Sequence, residues 1–376
     1  MAHARLRLLL VSLQDWPQAC RIPKHLSLAG FDVSVFTGVG ETVNLSRFPV
    51  QFFHVNPDAS DPLMMQGLAM ALRNVCASLQ PHAILPVDEV SVTLLNYLEI
   101  FVHRNPSPEN QQIAQLVLDA RGSPTHHQAA RSKLLAPALA REAGLLTPAQ
   151  TNCVGMLAAQ RFAEVHGYPV VMKAEYGTSG EGVSICRSAA DVQTAWTGEP
   201  VAMQSYIEGQ RHFCDGLAHR GRLVCANGFE VLHVYPTPTS PSTVIRAVHQ
   251  PALLAASQQF VEHIGLSGIF SIDFIVTAGG DSYFLECNPR CTPSTYLGAL
   301  AGNDLFTALF DTLHSRPVEQ NRTTDTLIAL FPKEYLRDPA SPYLWKAFHD
   351  VPWDEPALLR HFMRVAESAR VDSDNG

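Results

Sequence analysis

No run of about 18 consecutive apolar residues occurs in this chain of 376 residues, so no helix is expected to cross a membrane. There is no cluster of lysines and arginines either. With 27 Lys and Arg against 35 Asp and Glu, the net charge is -8, and the basic face that a nucleic-acid backbone requires is missing. A small phosphate ligand stays admissible, since it needs only a few local charges. The eight cysteines (Cys20, Cys76, Cys153, Cys186, Cys214, Cys225, Cys287 and Cys291) form no CxxC pair. A chain this long needs no disulfide staples, so free thiols in a reducing cytoplasm are expected. The sixteen histidines lack metal-type spacing; His126 and His127 are adjacent, which does not put two ligands on one helix face. Residues 12–20 hold no glycine, which removes the dinucleotide fingerprint that would follow a first strand. The opening "MAHARLRLLLVSLQDWPQAC" has the outline of a signal peptide, but Ser12 interrupts its short apolar stretch and no small-x-small site follows; a first β-strand is expected instead. No internal repeat or low-complexity tract is present.

What is there alternates. Leu6–Leu13, Phe31–Thr37, Val50–Val55 and His82–Val87 read as strands, with helices at Pro23–Ala29 and Leu63–Leu79. Strands alternating with helices predict a doubly wound parallel sheet, which binds ligands at the carboxyl ends of its strands. Those ends are Ser12–Trp16 and Pro86–Val90. Residues 121–128, "RGSPTHHQ", read as a boundary. Ser132–Thr151 follows as a helical segment closed by Gly144 and Pro148, with Pro137 expected to break or kink it. Strands and helices are then expected to alternate to about residue 275. The stretch after residue 316, rich in Pro, Asp and aromatics, carries no motif.

The segment "PVVMKAEYGTSGEGVSIC" (169–186) sets Lys173 at the end of one apolar run and Gly177, Gly180 and Gly182 before the next. Two strands joined by such a loop can lie over a polyphosphate, because glycine lets backbone N–H groups approach the oxygens and the lysine adds a point charge. A flexible hairpin accounts for the glycines as well. No Gly-Lys-Ser/Thr follows, so this is not a Walker loop.

A second constellation is "GIFSIDFIVTAGGDSYFLECNPR" (268–290). With Ala278–Asp281 as the loop, Ile272 faces Cys287, Phe274 faces Leu285 and Val276 faces Tyr283 on an apolar face. On the other face Ile275 lies opposite Phe284, Asp273 opposite Glu286, and Ser271 opposite Asn288. Two carboxylates about 5 Å apart at Cβ repel unless a cation sits between them. A hard divalent ion, which takes carboxylate and amide oxygens and shares its shell with phosphates, answers that need. Arg290 falls on the same face, and Cys287 faces the apolar side as a core residue.

Together these motifs resemble the ATP-grasp superfamily, and "ILPVDEVSVTLL" (84–95) is similar to the segment preceding that domain in carbamoyl-phosphate-synthase-like members. The resemblance runs from about residue 123 to 312. It implies an α/β and α+β architecture, with a doubly wound pre-ATP-grasp domain at 1–122, an ATP-grasp domain at 123–315 (lid subdomain 123–202, larger subdomain 203–315) and a C-terminal extension at 316–376. It implies an ATP-dependent carboxylate–amine ligase working through an acyl phosphate on a small metabolite or amino acid. The alternatives are bicarbonate activation or a non-catalytic ATP-binding protein. The implied cofactors are ATP and Mg²⁺, for which Mn²⁺ can stand in. The implied partners are small carboxylates and amines, in the cytoplasm, with a homodimer left open.

By the same resemblance Lys133 and Lys173 contact phosphates, and Gly177–Gly182, including Ser179 and Gly180, form the lid. Gln204 and Ile207 in the hinge Met203–Gly209 read adenine, and His212 or Asp215 holds the ribose. Asp273, Glu286 and Asn288 bind metal, and Arg290 steadies the acyl phosphate. Arg246 is expected to hold a substrate carboxylate or the γ-phosphate, or to be an exposed strand arginine. Asp88 and Glu89 either bind an amine or cap a helix as its first-turn acids. "CTPSTYLG" (291–298) is expected to line the acceptor pocket.

Overall fold

The computed structural model describes residues 5–56, 62–177 and 180–374. The first sheet contains β1 (Leu6–Ser12), β2 (Phe31–Gly38), β3 (Gln51–Val55) and β4 (Ala83–Pro86), all parallel, in the order β3-β2-β1-β4. The doubly wound arrangement expected from the alternation is present. β1 is buried from Leu8 to Ser12, as a strand covered on both faces must be. Its residues alternate between two cores: Leu8 and Leu10 join Val33 and Val35, while Leu9 and Val11 join Phe36 and Ile84.

A second, antiparallel sheet has the order β5-β8-β6-β7, from β5 (Gln150–Cys153), β6 (Val170–Ala174), β7 (Val183–Cys186) and β8 (Val201–Ser205). β6 and β7 are the two strands expected around the glycine loop.

The third sheet has seven strands: β9 (Gln210–His219), β10 (Arg222–Val234), β11 (Ser242–Val248), β12 (Gly268–Val276), β13 (Ser282–Asn288), β14 (Leu327–Ala329) and β15 (Phe348–His349). Their order is β13-β12-β9-β10-β11-β14-β15. The expected alternation with helices fails here, because β8 to β11 follow one another directly. β9 turns into β10 through Arg220 (φ 52°) and Gly221 (φ 78°). That is the two-residue, doubly left-handed turn of a hairpin, and Arg-Gly lacks the usual Asn-Gly or Asp-Gly signature.

One further expectation needs correcting. The helix in 132–151 is short, Ala136–Glu142, and Pro137 stands in its first turn. There a missing N–H leaves no bond unmade, so the proline starts the helix instead of breaking it. The segment after residue 316 adds two strands to the larger sheet. β14 pairs with β11 and β15 with β14, while Leu358 and Phe362, from the helix Pro356–Asp374, join the core beside β1 and β2.

Candidate active site

Between the second and third sheets lies a cleft of about 700 Å³. Its floor is the β12–β13 hairpin. Asp273 pairs with Glu286, Ser271 with Asn288 and Ile272 with Cys287, as the sequence register requires. Nearer the tip the register slips at a bulge after Asp273, so that Phe274 faces Phe284, Ile275 faces Tyr283 and Val276 faces Ser282. The expected pairs Phe274–Leu285, Ile275–Phe284 and Val276–Tyr283 are thereby corrected. The extra residue is Leu285, which lines the cleft. Cys287 faces the opposite side, buried in the core with Phe274 and Phe284.

Asp273, Glu286 and Asn288 all line the cleft, and Asn288 Nδ2 lies 3.5 Å from Asp273 Oδ2. Burial, and then the facing charge of Glu286, raises the Asp273 carboxyl above its ordinary range. Burial would raise Glu286 too, but Lys133 and Lys173 outweigh it and hold that carboxyl low. Two carboxylates and an amide, one carboxylate ionised and the other repelled by it, suit a hard divalent cation that completes its shell from phosphates and water. Among the described residues no group of three or more His, Cys, Asp and Glu forms a closed cage.

The roof comes from the second sheet. Lys173 projects from β6 into the cleft, and burial pulls its ammonium down to about 8 against the attraction of Glu286. Lys133 stands ahead of the short helix, donating to the Gly177 carbonyl at 2.8 Å and reaching Glu286 Oε2 at 3.4 Å. Gly177 and Gly180 line the cleft; Ser179 lies outside the described residues. Gly180 (φ 81°) packs so tightly on the facing loop that a Cβ would stand 2.1 Å from the Thr239 carbonyl oxygen. Gly182 (φ 69°) serves the hairpin instead: its carbonyl accepts from Ala174, and a Cβ there would meet the Ala174 Cβ at 2.8 Å. At the back, Gln204 and Ile207 line the wall with Val171, Ile185 and Tyr206, forming a largely apolar slot. Gln204 donates to Gln150 at 2.5 Å.

Three expected residues fall elsewhere. His212 pairs with Glu230 and Phe274, does not line the cleft, and its Nδ1 lies 3.1 Å from the Gln210 carbonyl. Strand alternation aims its neighbour Arg211 into the cleft instead, where Nη1 donates to the Ser240 carbonyl at 3.0 Å. Asp215 is fully buried, accepts from Ser294 at 2.6 Å and Thr292 at 3.4 Å, and is pushed up to about 6 by burial. Neither His212 nor Asp215 is placed to hold a ribose. Arg246 pairs across strands with Glu230, its Nε 3.0 Å from Oε2, and stays half-exposed outside the cleft.

The first sheet closes the end of the cleft. Asp88 is the helix cap: its carboxylate accepts from Ser91, Leu13 and Gln14 N–H groups and is buried. Glu89 is neither free for an amine nor merely a first-turn acid. Its Oε1 accepts from Arg290 Nε at 2.7 Å and its Oε2 from Arg131 at 2.6 Å, and these two guanidiniums hold its carboxyl low against burial. Arg290 also donates to Asn288 Oδ1 at 3.0 Å and lies 4.5 Å over the Trp16 ring. Thr292, Pro293 and Ser294 line the adjoining wall, as expected for 291–298. Sequence reasoning missed Arg211, Trp16 and Lys333. Trp16 ends one of the strand termini singled out above, and strand parity would have favoured Arg211 over His212. Lys333 had no motif around it.

Residues 130–294 match the family model described as the ATP-grasp domain. Over 242 residues the chain is 25% identical to the formate-dependent phosphoribosylglycinamide formyltransferase of Shewanella amazonensis, covering 58% of this chain and 56% of that protein. It is 22% identical over 231 residues to the mouse mitochondrial carbamoyl-phosphate synthase [ammonia], covering 56% of this chain and 15% of that one. The chain thus spans only part of the length of these curated relatives. Among solved structures, the biotin carboxylase domain of Hydrogenobacter thermophilus 2-oxoglutarate carboxylase, in complex with MgADP, ADP and bicarbonate, aligns with a TM-score of 0.65 at 15% identity, over 86% of this chain and 73% of that one. At that identity the likeness is one of fold.

Proposed function

We propose, from the premise that residues 130–294 are an ATP-grasp domain, that the chain is an ATP-dependent ligase activating a small carboxylate as an acyl phosphate for attack by an amine. The observation that carries this reading is the pair Asp273 and Glu286, set face to face beneath Lys173 from the second sheet and Lys133 from the turn ahead of the helix Ala136–Glu142. The apolar slot at Gln204–Ile207 would take the adenine, and Gly177, Gly180, Lys133 and Lys173, which line the same cleft, would hold the triphosphate. Asp273, Glu286 and Asn288 would hold Mg²⁺, which, when bound, neutralises the charge developing on the phosphoryl oxygens.

Phosphoryl transfer needs positioning and charge neutralisation more than covalent help, and this site supplies both. A carboxylate oxygen attacks the γ-phosphorus, the bond to the β,γ-bridging oxygen breaks, and ADP leaves. The amine nitrogen then attacks the acyl carbon and the phosphate departs with the bonding pair. Arg290, pinned by Glu89, Asn288 and Trp16, follows directly on the strand that carries Glu286 and Asn288, where a guanidinium can hold the acyl phosphate and the tetrahedral oxyanion. Cys287 takes no part, being buried on the far face.

The test is an ADP-release screen with Mg²⁺, crossing small carboxylic acids and bicarbonate with amines and ammonium. ADP formed only when an acid is present, together with an Mg²⁺-dependent rise in melting temperature with ATP, supports the ligase. An unchanged melting temperature at millimolar Mg·ATP overturns it.

A further inference from the structure

Lys333 opens the helix Lys333–Arg337 just beyond β14, outside the matched domain, and lines the cleft, as Leu330, Ser242 and His233 also do. It makes no hydrogen bond or ion pair within the described residues. The adjoining Glu334 is not its partner, since that carboxylate is engaged by Arg337, Ser341 and Thr243. Lys333 is half-buried, and desolvation with no compensating charge pulls its ammonium down to about 8.

The whole cleft is unbalanced in the same sense. Among the described residues, its cations are Lys133, Lys173, Arg211, Arg290 and Lys333, while its only carboxylates are Asp273 and Glu286. Both carboxylates are claimed by the proposed metal, and Lys133 and Lys173 by the triphosphate. Asp88 and Glu89, the acids that could have received an ammonium, are consumed by backbone N–H groups and by two arginines. A zwitterionic amino acid would therefore find cations for its carboxylate and no anion for its ammonium. A partly desolvated charge is stabilised where something of opposite sign meets it.

We propose that the acid substrate is a dianion, with one carboxylate activated at the metal site and a second anionic group seated on Lys333. This rests on the ligase reading. It makes the segment after residue 316 part of the substrate site, and it means that the amine enters as a neutral nucleophile without a carboxylate to hold it.

The experiment uses the full chain saturated with Mg²⁺ and the β,γ-imido analogue of ATP, so that the γ-phosphate position is filled. Malonate, succinate, glutarate and phosphoglycolate are titrated against acetate and glycine by calorimetry. At least one dianion is expected to bind roughly tenfold or more tighter than acetate, the size of effect a charge-assisted contact gives. Glycine should bind no better than acetate. Lys333→Gln should erase that preference while its unliganded melting temperature shows it folded, and Lys333→Arg should restore it. Dianions binding no tighter than acetate, glycine matching them, or a preference that survives Lys333→Gln would each overturn the inference. Failure of the analogue itself to bind the wild type removes the ATP reading, and this one with it.

Discussion

Arg290 Nε donates to Glu89 Oε1 at 2.7 Å, joining residues 201 positions apart in the chain. Glu89 belongs to the first turn of the helix after β4, and Arg290 follows the strand carrying Glu286 and Asn288. The helix after the first sheet therefore orients a guanidinium at the end of the cleft, with Trp16 as the other jaw. Glu89→Gln keeps the shape and removes the charge. It should lower kcat/KM by roughly tenfold to a hundredfold, the equivalent of one charged hydrogen bond at about 1.5–3 kcal/mol, with the melting shift from Mg·ATP little changed. Wild-type turnover in Glu89→Gln would detach Glu89 from the placement of Arg290.

Glu286→Gln tests the metal site. ADP release should vanish and the stabilisation by Mg·ATP should shrink. The metal-free protein should lose about 1–2 kcal/mol, because the charge removed is the one that faces Lys133 and Lys173. Relief of repulsion with Asp273 acts in the opposite direction and is the smaller effect, since burial and the facing charge of Glu286 already raise the Asp273 carboxyl and so limit double ionisation of the pair. Paired melting curves with an ADP assay decide this; retained ADP release would end the assignment of the metal to this hairpin.

Gly180→Ala places a methyl group where only 2.1 Å separates it from the Thr239 carbonyl oxygen, at a φ of 81° that side chains resist. The lid should then fail to seat on the loop it now touches. KM for ATP is expected to rise about tenfold, with the unliganded melting temperature nearly constant, since lids close mainly on ligand. Steady-state kinetics over a range of ATP concentrations would show it, and an unchanged KM would mean that the contact is incidental to nucleotide binding.

His127 is buried and neither ring nitrogen has a hydrogen-bond partner. Burial first, then Arg121 and Arg131, pulls its imidazolium from 6.5 down to about 3, with Glu89 opposing weakly. The unfolded chain therefore binds a proton that the folded one refuses, and stability falls as pH drops from 6.5 toward 3. His127→Gln should flatten that slope by up to about 1.4 kcal/mol per pH unit near pH 5, leaving pH 8 almost unaffected. His25, pulled down to about 4 mainly by burial, supplies part of what remains. Urea unfolding at pH 7 and pH 5 gives the comparison; equal slopes in the two proteins would refute the assignment.

Local signals were enough to predict the first sheet, the glycine hairpin, and the facing of Asp273 by Glu286 and of Ser271 by Asn288. The sheet showed in the alternation of strand and helix periods along the chain, though its β1–β4 pairing is distant, while the two hairpins join residues near one another, and a strand's period of two gives side-chain facing without any further information. The bulge at Leu285 did not show, because one extra residue in a strand leaves the composition and the loop unaltered. Nor did the β9–β10 turn, whose Arg-Gly lacks the common signature.

What only the tertiary structure decided is which charges meet. Sequence placed Asp88, Glu89, His212 and Arg246 as ligand candidates, and each has conventional chemistry for that role. Folding gave Asp88 to three N–H groups and Glu89 to two arginines, turned His212 to the wrong face of its strand, and paired Arg246 with Glu230. The same folding set Arg211, Trp16 and Lys333 into the cleft, the last from a segment with no motif at all. The energy of a charge depends on its partners within a few ångströms and on how much water is excluded, and both depend on strands brought together from distant parts of the chain. A linear pattern fixes which face a residue occupies far more firmly than which residue from elsewhere will lie against it.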